Sequence, residues 1–600
     1  MSPPTPFHTH ISGIIIVPIY KNKGDPANAA NYRPITILSC LGKLFTSVLN
    51  YRLTNYLDMN STLLENQAGF RKEYSCQDHI FTLHSMIEIL RQKKQKLYCA
   101  FIDFSAAFDK VHRISLWQKL LRNSINGKLF QVIYNMYSNI KSCVSHKGTI
   151  SSFFACEIGV RQGENLSPVL FSLFLNDMQE FIQQNGGTGI DLADSPDETQ
   201  WLKLLLLLYA DDTVILSDSA SDFQNCLNAF NDYCKLWHLN VNLNKTKIII
   251  FGARKTRTFD FKLGDTQIEI TDKYHYLGIT FSSSGSFLNC RKHIVQQAKK
   301  AMYALFTKAN NAELPLDLTL KLFDHTVLPI LTYGSEIFGF ENLDMLEAVH
   351  NDFLRKLTKS RKSTPIYMLH GELGRYPIAV TIKSRMIAFW SRMLSGDKNK
   401  LSFCIYNYML HLRNNNFKWM NKIKNILETV GRPDIWINQG ILPVPKNLHK
   451  YVKQIVVDQY IQEWNAQLRF SNKGRIYNSF KTMFQLEPYT KILPLNYALT
   501  LFRFRTSNHK FPIETGRWDG TALLDRYCQR CNNGEVGSEQ HYLLNCSSFD
   551  NERRFILTNL DSNINIAYNE YCFKSLLCFE SYNDLIQICK LTKIIMKQFS

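Results

Sequence analysis

The sequence predicts an α+β fold built on a split βαβ unit, and three observations carry this prediction. A strand pattern covers Tyr98–Phe104. Seven apolar or aromatic residues, Leu204–Ala210, and the β-branched and apolar run Thr213–Leu216 flank a two-residue turn and predict a hairpin. Helical spacing of apolar residues precedes and follows this hairpin, and a last strand is predicted over Lys247–Phe251. Strand, helix, hairpin, helix and strand in this order form a split βαβ arrangement.

Three aspartates lie at the ends of these predicted strands. Asp211 and Asp212 form the hairpin turn, and Asp103 lies one residue before the end of the first strand. Desolvated carboxylates need a compensating charge. A solvated loop tip could explain the adjacent pair alone, but a third carboxylate from elsewhere favours metal binding. In-line phosphoryl transfer uses two divalent ions about 3.5–4 Å apart, and oxygen ligands suit Mg²⁺ or Mn²⁺. The three aspartates therefore predict a site for two such ions and polymerase chemistry.

The segments before this unit read as strands and one long helix. A strand is predicted over Ile14–Ile19, a turn-rich loop over 21–28, and a short strand that carries Arg33 over Asn31–Leu38. Apolar residues at helical spacing predict a helix over Asp78–Leu90, which is followed by a basic run.

The middle segment alternates helices and short strands. Leu116–Ile140 has helical periodicity with a break at 126–127, and Ser142–Ser145 and Phe153–Ile158 are predicted strands. A further helix is predicted to start at Ser167, with Ser167 as its cap and a proline in its first turn.

Several ordered motifs resemble the reverse transcriptase of non-LTR (LINE-type) retrotransposons. They are FIDFSAAFD at 101–109, GVRQGENLSPVLFSLFLNDM at 159–178 and YADD at 209–212, extended by blocks at 31–45, 67–80, 241–251 and 276–281. The resemblance covers roughly residues 12–340. It implies a right-hand polymerase with fingers, a ferredoxin-like palm and a helical thumb. The implied reaction is RNA-templated DNA synthesis onto a primer 3′-OH, by target-primed reverse transcription.

The resemblance also implies roles for residues around the nucleotide. Arg33 matches the fingers arginine that reaches the incoming triphosphate, although a surface arginine is the alternative. Phe108 matches a steric gate that rejects the ribose 2′-OH, against the alternative of a core phenylalanine. Gln162 matches a residue that lies against the nascent base pair.

Lysine and aspartate positions near the metal site carry further expectations. Lys245 matches the lysine proposed to protonate the leaving pyrophosphate. An ammonium group next to an anion that develops during the reaction is suited to this role. Lys247 could serve instead, and a solvated lysine is the third possibility. We expect Asp109 to cap or pair locally, and not to bind metal.

A Cys/His cluster near the carboxyl end predicts a second kind of metal site. Cys528-x2-Cys531-x9-His541-x4-Cys546 offers four ligands for tetrahedral Zn²⁺, which indicates a structural site because no position stays open. A chance cluster of reduced cysteines is the alternative. CCHC modules of this kind close the proteins of the resembled family and bind nucleic acid there.

Composition and motif coverage give the predicted domain plan. We expect fingers and palm over 12–285, thumb over 286–340, a helical region of unassigned role over 341–520 and a zinc knuckle over 521–560. The formal net charge of +19 indicates polyanionic partners, here an RNA template and a DNA primer or target, with dNTPs as substrates. No apolar run suggests a membrane partner, and fifteen cysteines without a disulfide pattern indicate a reduced, cytoplasmic and nuclear protein. The endonuclease domain of full-length relatives is expected to be missing.

Other readings of the sequence remain open. One is a catalytically inactive or domesticated nucleic-acid-binding remnant, although the three aspartates are intact. A group II intron maturase or a telomerase is disfavoured by the CCHC cluster. An unrelated helical interaction protein leaves the ordered motifs unexplained.

Overall fold

The computed structural model describes residues 13–22, 24–138, 140–192, 203–252, 259–412, 416–470, 476–562 and 570–599. The predicted first residue of the fingers, 12, lies outside these ranges. The chain divides into two compact units: one runs to Asn289 and takes in Gly396–Phe417, and the other comprises Cys290–Ser395 and the chain from Lys418 onward. The four domain boundaries expected from the sequence stay predictions.

All strands that the structure describes lie in the first unit. They are β1 Gly13–Tyr20, β2 Tyr32–Ile37, β3 Leu97–Ile102, β4 Lys141–His146, β5 Thr149–Ile150, β6 Phe154–Ala155, β7 Ile190–Asp191, β8 Lys203–Leu204, β9 Leu206–Tyr209, β10 Asp212–Ser217, β11 Lys247–Phe251, β12 Lys262–Leu263, β13 Thr266–Gln267, β14 Lys273–Tyr276 and β15 Ile279–Ser282.

In the described part of the first unit, seven α-helices lie between these strands, and one more comes from later in the chain. They are α1 Cys40–Met59, α2 Cys76–Gln92, α3 Arg113–Arg122, α4 Gly127–Tyr137, α5 Ser167–Leu175, α6 Met178–Gln184 and α7 Ala220–Leu236, followed much later by the helix Leu401–His411.

The central sheet has the order β11-β3-β10-β9, with neighbouring strands antiparallel. Numbered within the split βαβ unit, this is the order 4-1-3-2 of a ferredoxin-like sheet, so the predicted α+β class and the order of its elements are confirmed. Tyr98, Ala100 and Ile102 of β3 alternate toward a core shared with α5, α6 and α7, as expected for a period of two. The opposite face receives α2.

A second sheet precedes the central one. It has the order β2-β1-β4-β5, with β6 also paired to β4; β1 is antiparallel to β2 and parallel to β4. Arg33 lies on β2 opposite Ile19 of β1 and is exposed.

The helix Leu401–His411 packs against α2 within the first unit. The Ser402 hydroxyl donates to Asp78 at 3.2 Å, and the Lys400 ammonium donates to the Glu73 carbonyl at 2.7 Å. Asp78 also accepts from Ser75 in a capping box at the start of α2. A segment far along the chain therefore completes the packing of an early helix.

The described part of the second unit is helical. Its longer helices are Leu288–Asn311, which begins at the end of the first unit, Leu316–Thr326, Asp344–Thr358, Ile366–Leu373, Ile378–Ser395, Lys418–Thr429, Leu448–Phe470, Leu495–Arg505, Asp550–Leu557, Glu570–Leu577 and Tyr582–Lys597. The shorter helices are Leu328–Thr332, Ser335–Phe338, Pro433–Ile437, Tyr477–Phe480, Tyr489–Ile492 and Pro512–Thr515. Among the described residues, no helix combines the length and the apolar character needed to cross a bilayer.

Two local predictions need correction. Strand β3 ends at Ile102, so Asp103 follows the strand and does not lie inside it. The predicted cap of α5 is wrong, because Leu166 is the N-cap and no side chain caps this helix. The Ser167 hydroxyl donates instead to the buried Glu164 carboxylate at 3.2 Å, a charged acceptor that makes a stronger hydrogen bond.

Candidate active site and metal-binding cluster

The register of the central sheet brings the three predicted metal ligands to one edge. Ile102 of β3 pairs with Thr213 of β10. Asp103, just after Ile102, and Asp212, just before Thr213, therefore extend from the same end of two adjacent strands. Asp211 lies beside Asp212 in the turn between β9 and β10.

Burial and mutual repulsion disfavour the charged forms of the hairpin pair. The pKa of Asp212 is raised to about 6, first by burial and then by Asp211 and Asp103, against the opposing charge of Lys245. The pKa of Asp211 is also raised, chiefly by burial. A cation bound at this edge would stabilise the charged forms of these carboxylates.

Lys245 supplies a positive charge at the third aspartate. Its ammonium lies 3.0 Å from Asp103 Oδ2. The Asp103 backbone is held by the same segment, since its carbonyl accepts from the Asn242 amide at 2.7 Å and its amide donates to the Thr246 hydroxyl at 3.3 Å. Lys247 points elsewhere and pairs with Glu269 at 2.7 Å. Of the two lysines considered from the sequence, Lys245 is the one at the aspartates.

The hairpin turn that carries Asp211 and Asp212 has a buried hydrogen-bond partner that the sequence did not reveal. Ala210 adopts a left-handed backbone with φ of 57°, which costs a non-glycine residue energy. The buried Gln67 side-chain oxygen accepts from the Ala210 amide at 3.3 Å and from the Gly69 amide at 3.0 Å. The residues around Gln67 also pair with β9: the Ala68 amide donates to the Leu208 carbonyl at 2.9 Å. In the sequence, the only indication of this role for Gln67 was its position as a glutamine in the apolar QAGF block.

Two cavities open beside the aspartates. One, of about 900 Å³, is lined by Arg33, Arg71, Lys72, Phe108, Gln162 and Asp211 among others. The other, of about 1030 Å³, is lined by Lys21, Arg33, Asp103, Phe108, Asp211 and Lys245 among others. Cations and carboxylates on one concave surface suit a metal-bound triphosphate. Lys21 and Asn242, which lines the second cavity, were not predicted from the sequence.

Phe108 is half-buried and lines both cavities. Its ring stacks on Phe171 with centroids 4.8 Å apart and meets Phe70 edge to face at 6.4 Å. The ring therefore has core contacts on one side and forms cavity wall on the other.

Gln162 is fixed from two directions. Its side-chain amide donates to Asp109 Oδ2 at 3.2 Å, and its carbonyl accepts from the Thr36 amide on β2 at 2.8 Å. Burial raises the pKa of Asp109 to about 6, with Lys21 opposing. The Asp109 carboxylate thus pairs with Gln162, a residue 53 positions further along the chain, and this contact is not the local pairing expected from the sequence.

The four residues of the Cys/His cluster come together in the second unit. Ligand atoms of Cys528, Cys531, His541 and Cys546 all lie within 4.8 Å of one another. Burial raises the pKa of the Cys528 thiol, but hydrogen bonds from Tyr542, from backbone amides and from His541 outweigh it and lower that pKa. Glu535 lies 2.5 Å from His541 Nδ1, which leaves Nε2 directed at Cys531. A carboxylate in this position orients a metal-binding imidazole.

The arginine that follows the cluster is structural. Arg553 is buried and donates to the carbonyls of Leu543 at 3.0 Å and Cys546 at 2.7 Å. It therefore fixes the segment that carries His541 and Cys546 and does not offer its charge to a ligand.

Comparison with known proteins agrees with this geometry. The family described as reverse transcriptase (RNA-dependent DNA polymerase) matches residues 19–281. The RNA-directed DNA polymerase from mobile element jockey of Drosophila funebris is 27% identical over 367 residues, 59% of this chain and 38% of that protein. A probable RNA-directed DNA polymerase from transposon X-element of Drosophila melanogaster is 24% identical over 405 residues, 65% of this chain and 42% of that protein. The chain spans about two fifths of the length of these curated relatives.

Likeness to solved structures is weaker. A telomerase from Candida albicans has a TM-score of 0.34 and 12% identity, covering 74% of this chain and 66% of that one. Such a score is too low to assign a fold.

Proposed function

We propose that this chain, whose residues 19–281 form a reverse transcriptase domain homologous to those of non-LTR retrotransposon polymerases, is an RNA-directed DNA polymerase. The observation that carries the proposal is the strand register that sets Asp103, Asp211 and Asp212 at one edge of a ferredoxin-like sheet, beside basic cavities. The substrates are dNTPs, a DNA primer or target and an RNA template. We assign the first unit to fingers and palm, and the helix Leu288–Asn311 to the start of a thumb.

The carboxylate edge fits two divalent ions. It offers hard oxygen ligands, and two of its carboxylates have a raised pKa without a cation. Bound there by Asp103, Asp211 and Asp212, two Mg²⁺ or Mn²⁺ ions would activate the primer hydroxyl and stabilise the leaving pyrophosphate.

The remaining side chains bind and orient the nucleotide. Arg33 offers a guanidinium fork to the triphosphate from the cavity wall. Phe108 closes the space beside the sugar and excludes a 2′-OH. Gln162, held by Asp109 and Thr36, supports the nascent base pair.

Lys245 is our candidate proton donor to the pyrophosphate. Its ammonium lies in the cavity wall next to Asp103, where charge develops on the leaving group. Lys247 is held at Glu269 and does not line either cavity.

The Cys/His cluster is proposed to hold one structural Zn²⁺. Three thiols and an imidazole within 4.8 Å fit a closed tetrahedral site, and the lowered pKa of Cys528 favours the thiolate that zinc needs. Such a site stabilises the local fold and, by resemblance, contributes to nucleic-acid binding.

Primer extension tests the function directly. Purified protein is given an RNA template with an annealed DNA primer, dNTPs and Mg²⁺, and we expect product that depends on the RNA template and is lost in EDTA. Binding of primer–template without extension would instead identify a catalytically silent remnant. A DNA template of the same sequence is the matched control for template preference.

A further inference from the structure

We propose that the second unit carries a separate binding site for single-stranded nucleic acid, formed by Arg361, Arg503, Lys510 and Trp518. It lies in the region whose role the sequence left open, and it deepens the proposed polymerase function by adding a place to hold template or target strand away from the catalytic aspartates.

Two arginines form the centre of this site, and neither forms an ion pair with a carboxylate among the residues that the structure describes. Burial and the nearby charge of Arg361 lower the pKa of Arg503, and no acidic group adds to these causes. The Arg503 Nε is buried and has no hydrogen-bond partner in the part of the chain that the structure describes. Within the described ranges, the hydrogen bond that the Arg361 side chain donates is a long one, 3.4 Å to the His509 carbonyl. Like charges held together and partly desolvated favour an anionic ligand.

An exposed aromatic ring lies beside the arginines. Trp518 is 58% exposed, and the Arg361 guanidinium lies 5.5 Å from its ring centroid. Of the acidic residues near Trp518 in sequence, Glu514 is buried and pairs with Arg517 at 3.5 Å, whereas Asp519, the next residue along the chain, is exposed. A flat exposed ring next to phosphate-binding guanidinium groups is the arrangement on which unpaired bases stack.

Additional polar and basic groups border the pair. Lys359 and Lys362 are exposed on the loop that carries Arg361, and Lys510 is exposed after the turn that follows Arg503. In that turn the Asn508 amide donates to the Arg503 carbonyl at 2.8 Å. The side chain of Asn508 is buried, and its Oδ1 and Nδ2 atoms both lack partners among the described residues. This side-chain amide therefore has unused hydrogen-bonding capacity beside the arginines.

The site is anchored to the Cys/His cluster. One oxygen of buried Glu539, two residues before His541, accepts from the Ser507 hydroxyl at 2.7 Å and lies 2.9 Å from His509 Nε2. The turn that carries Asn508 and Lys510 is therefore fixed by the segment that the zinc would order. This link gives the cluster a way to act on nucleic-acid binding without contacting the strand itself.

The experiment separates this site from the polymerase cavity. The 600-residue protein is first saturated with unlabelled primer annealed to RNA template. A fluorescein-labelled single-stranded RNA of about twelve nucleotides, within the range of single-strand sites, is then titrated by anisotropy. We expect a second binding event. Single-stranded DNA and duplex DNA of the same sequence form the comparison arms.

Variants assign that event. The double variant Arg361→Ala/Arg503→Ala should weaken it and reduce the magnitude of its salt slope by about 1.4, for two phosphate contacts on a single strand. Trp518→Ala should weaken single-stranded binding about tenfold and leave duplex binding unchanged, because only unpaired bases stack. Lys450→Ala/Lys453→Ala removes the same charge from an exposed helix face and should have little effect. Extension on pre-annealed primer should persist in all of them.

The outcomes are distinct. Absence of a second event in the unmutated protein, or an unchanged affinity and salt slope in the double arginine variant, would overturn the proposal. Equal binding of duplex with no effect of Trp518→Ala would overturn the single-strand assignment. If Arg361→Ala/Arg503→Ala fails to fold, Arg361→Lys/Arg503→Lys keeps the charge but loses the forks and should still weaken binding. If the unmutated protein shows the second binding event but no primer extension, the proposed polymerase function is wrong and the proposal of this binding site is retained.

Discussion

The side-chain oxygen of Gln67 accepts a hydrogen bond from the backbone amide of Ala210 at 3.3 Å, immediately before Asp211 and Asp212 of the hairpin. The same oxygen accepts from the Gly69 amide, and a Cβ on Gly69 would lie 2.3 Å from the Ala210 nitrogen. Gln67 is therefore a positioning residue for the turn, and Gly69 has no side chain because the turn lies against it.

Gln67→Leu should reduce the extension rate about 10- to 100-fold with little change in the KM for dNTP. It leaves two buried amides without an acceptor, and displacing reacting groups is costly in rate. Single-turnover kinetics measure this. Thr213→Val is the matched control, because it removes a buried hydroxyl beside the same turn that has no described partner. Equal rates for Gln67→Leu and the unmutated protein would contradict the assigned role.

Asp211→Asn should abolish metal-dependent extension and leave RNA binding largely intact. The substitution removes a metal-binding charge and no phosphate contact. Extension and filter-binding assays on the same preparations test both halves. Asp232→Asn, an exposed aspartate on α7, is the control and should extend normally. Full extension by the Asp211 variant would rule out its role as a metal ligand.

Phe108→Val should let ribonucleotides be incorporated, because the ring no longer fills the space beside the sugar. The ratio of kcat/KM for dNTP and rNTP should fall, while Phe108→Tyr keeps the bulk and should keep the ratio. The stacking on Phe171 means that Phe108→Val also loses core packing, so thermal unfolding is measured beside it. Unchanged sugar discrimination would leave Phe108 a core residue.

Asp109→Asn should stabilise the first unit at neutral pH and have no effect at low pH. The pKa of Asp109 in the fold, about 6, lies above its ordinary value of 3.8. Its ionisation therefore costs folded-state stability as pH rises from the ordinary value to about 6, and the full cost applies above that. After allowance for solvent screening the effect is about 1 kcal/mol. Unfolding temperatures at pH 7.5 and below the ordinary pKa test this, and a gain that persists at the lower pH would contradict it.

Cys531→Ser should lose about one zinc per chain and loosen the segment from 521 to 560, because a structural site contributes folding energy. Extension on pre-annealed primer should survive, because the proposed catalytic ions are bound by aspartate oxygens in another part of the chain and not by the Cys/His cluster. Metal analysis by mass spectrometry and limited proteolysis provide the readouts. Cys578→Ser, an exposed cysteine outside the cluster, is the control. If unmutated protein purified without chelator contains no zinc, the proposed zinc site is wrong.

Patterns local in sequence predicted the central sheet and which aspartate, cysteine and histidine residues lie close together. Alternation and turn chemistry indicated β3, the hairpin and β11, and Cys/His spacing indicated the four ligands that the fold brings together. Contacts between distant segments were not predictable. Gln67 meets Ala210 across 143 residues, and the role of Arg553 depends on carbonyls that no periodicity reveals. The cap assigned to Ser167 failed because a buried carboxylate, invisible in a helix pattern, is the stronger partner.

The packing of the helix Leu401–His411 on α2 makes the first unit discontinuous in synthesis as well as in sequence. A ribosome that has released Asn289 has made every strand of the central sheet, yet the partners of Asp78 and Glu73 on that helix do not exist until residues 290–395 have also emerged. The first unit must therefore either complete its folding after the helix Leu401–His411 has been synthesised, or fold earlier with α2 uncovered. A fragment limited to the stretch that matches the reverse transcriptase family, residues 19–281, would therefore contain the three aspartates but lack the helix that covers α2.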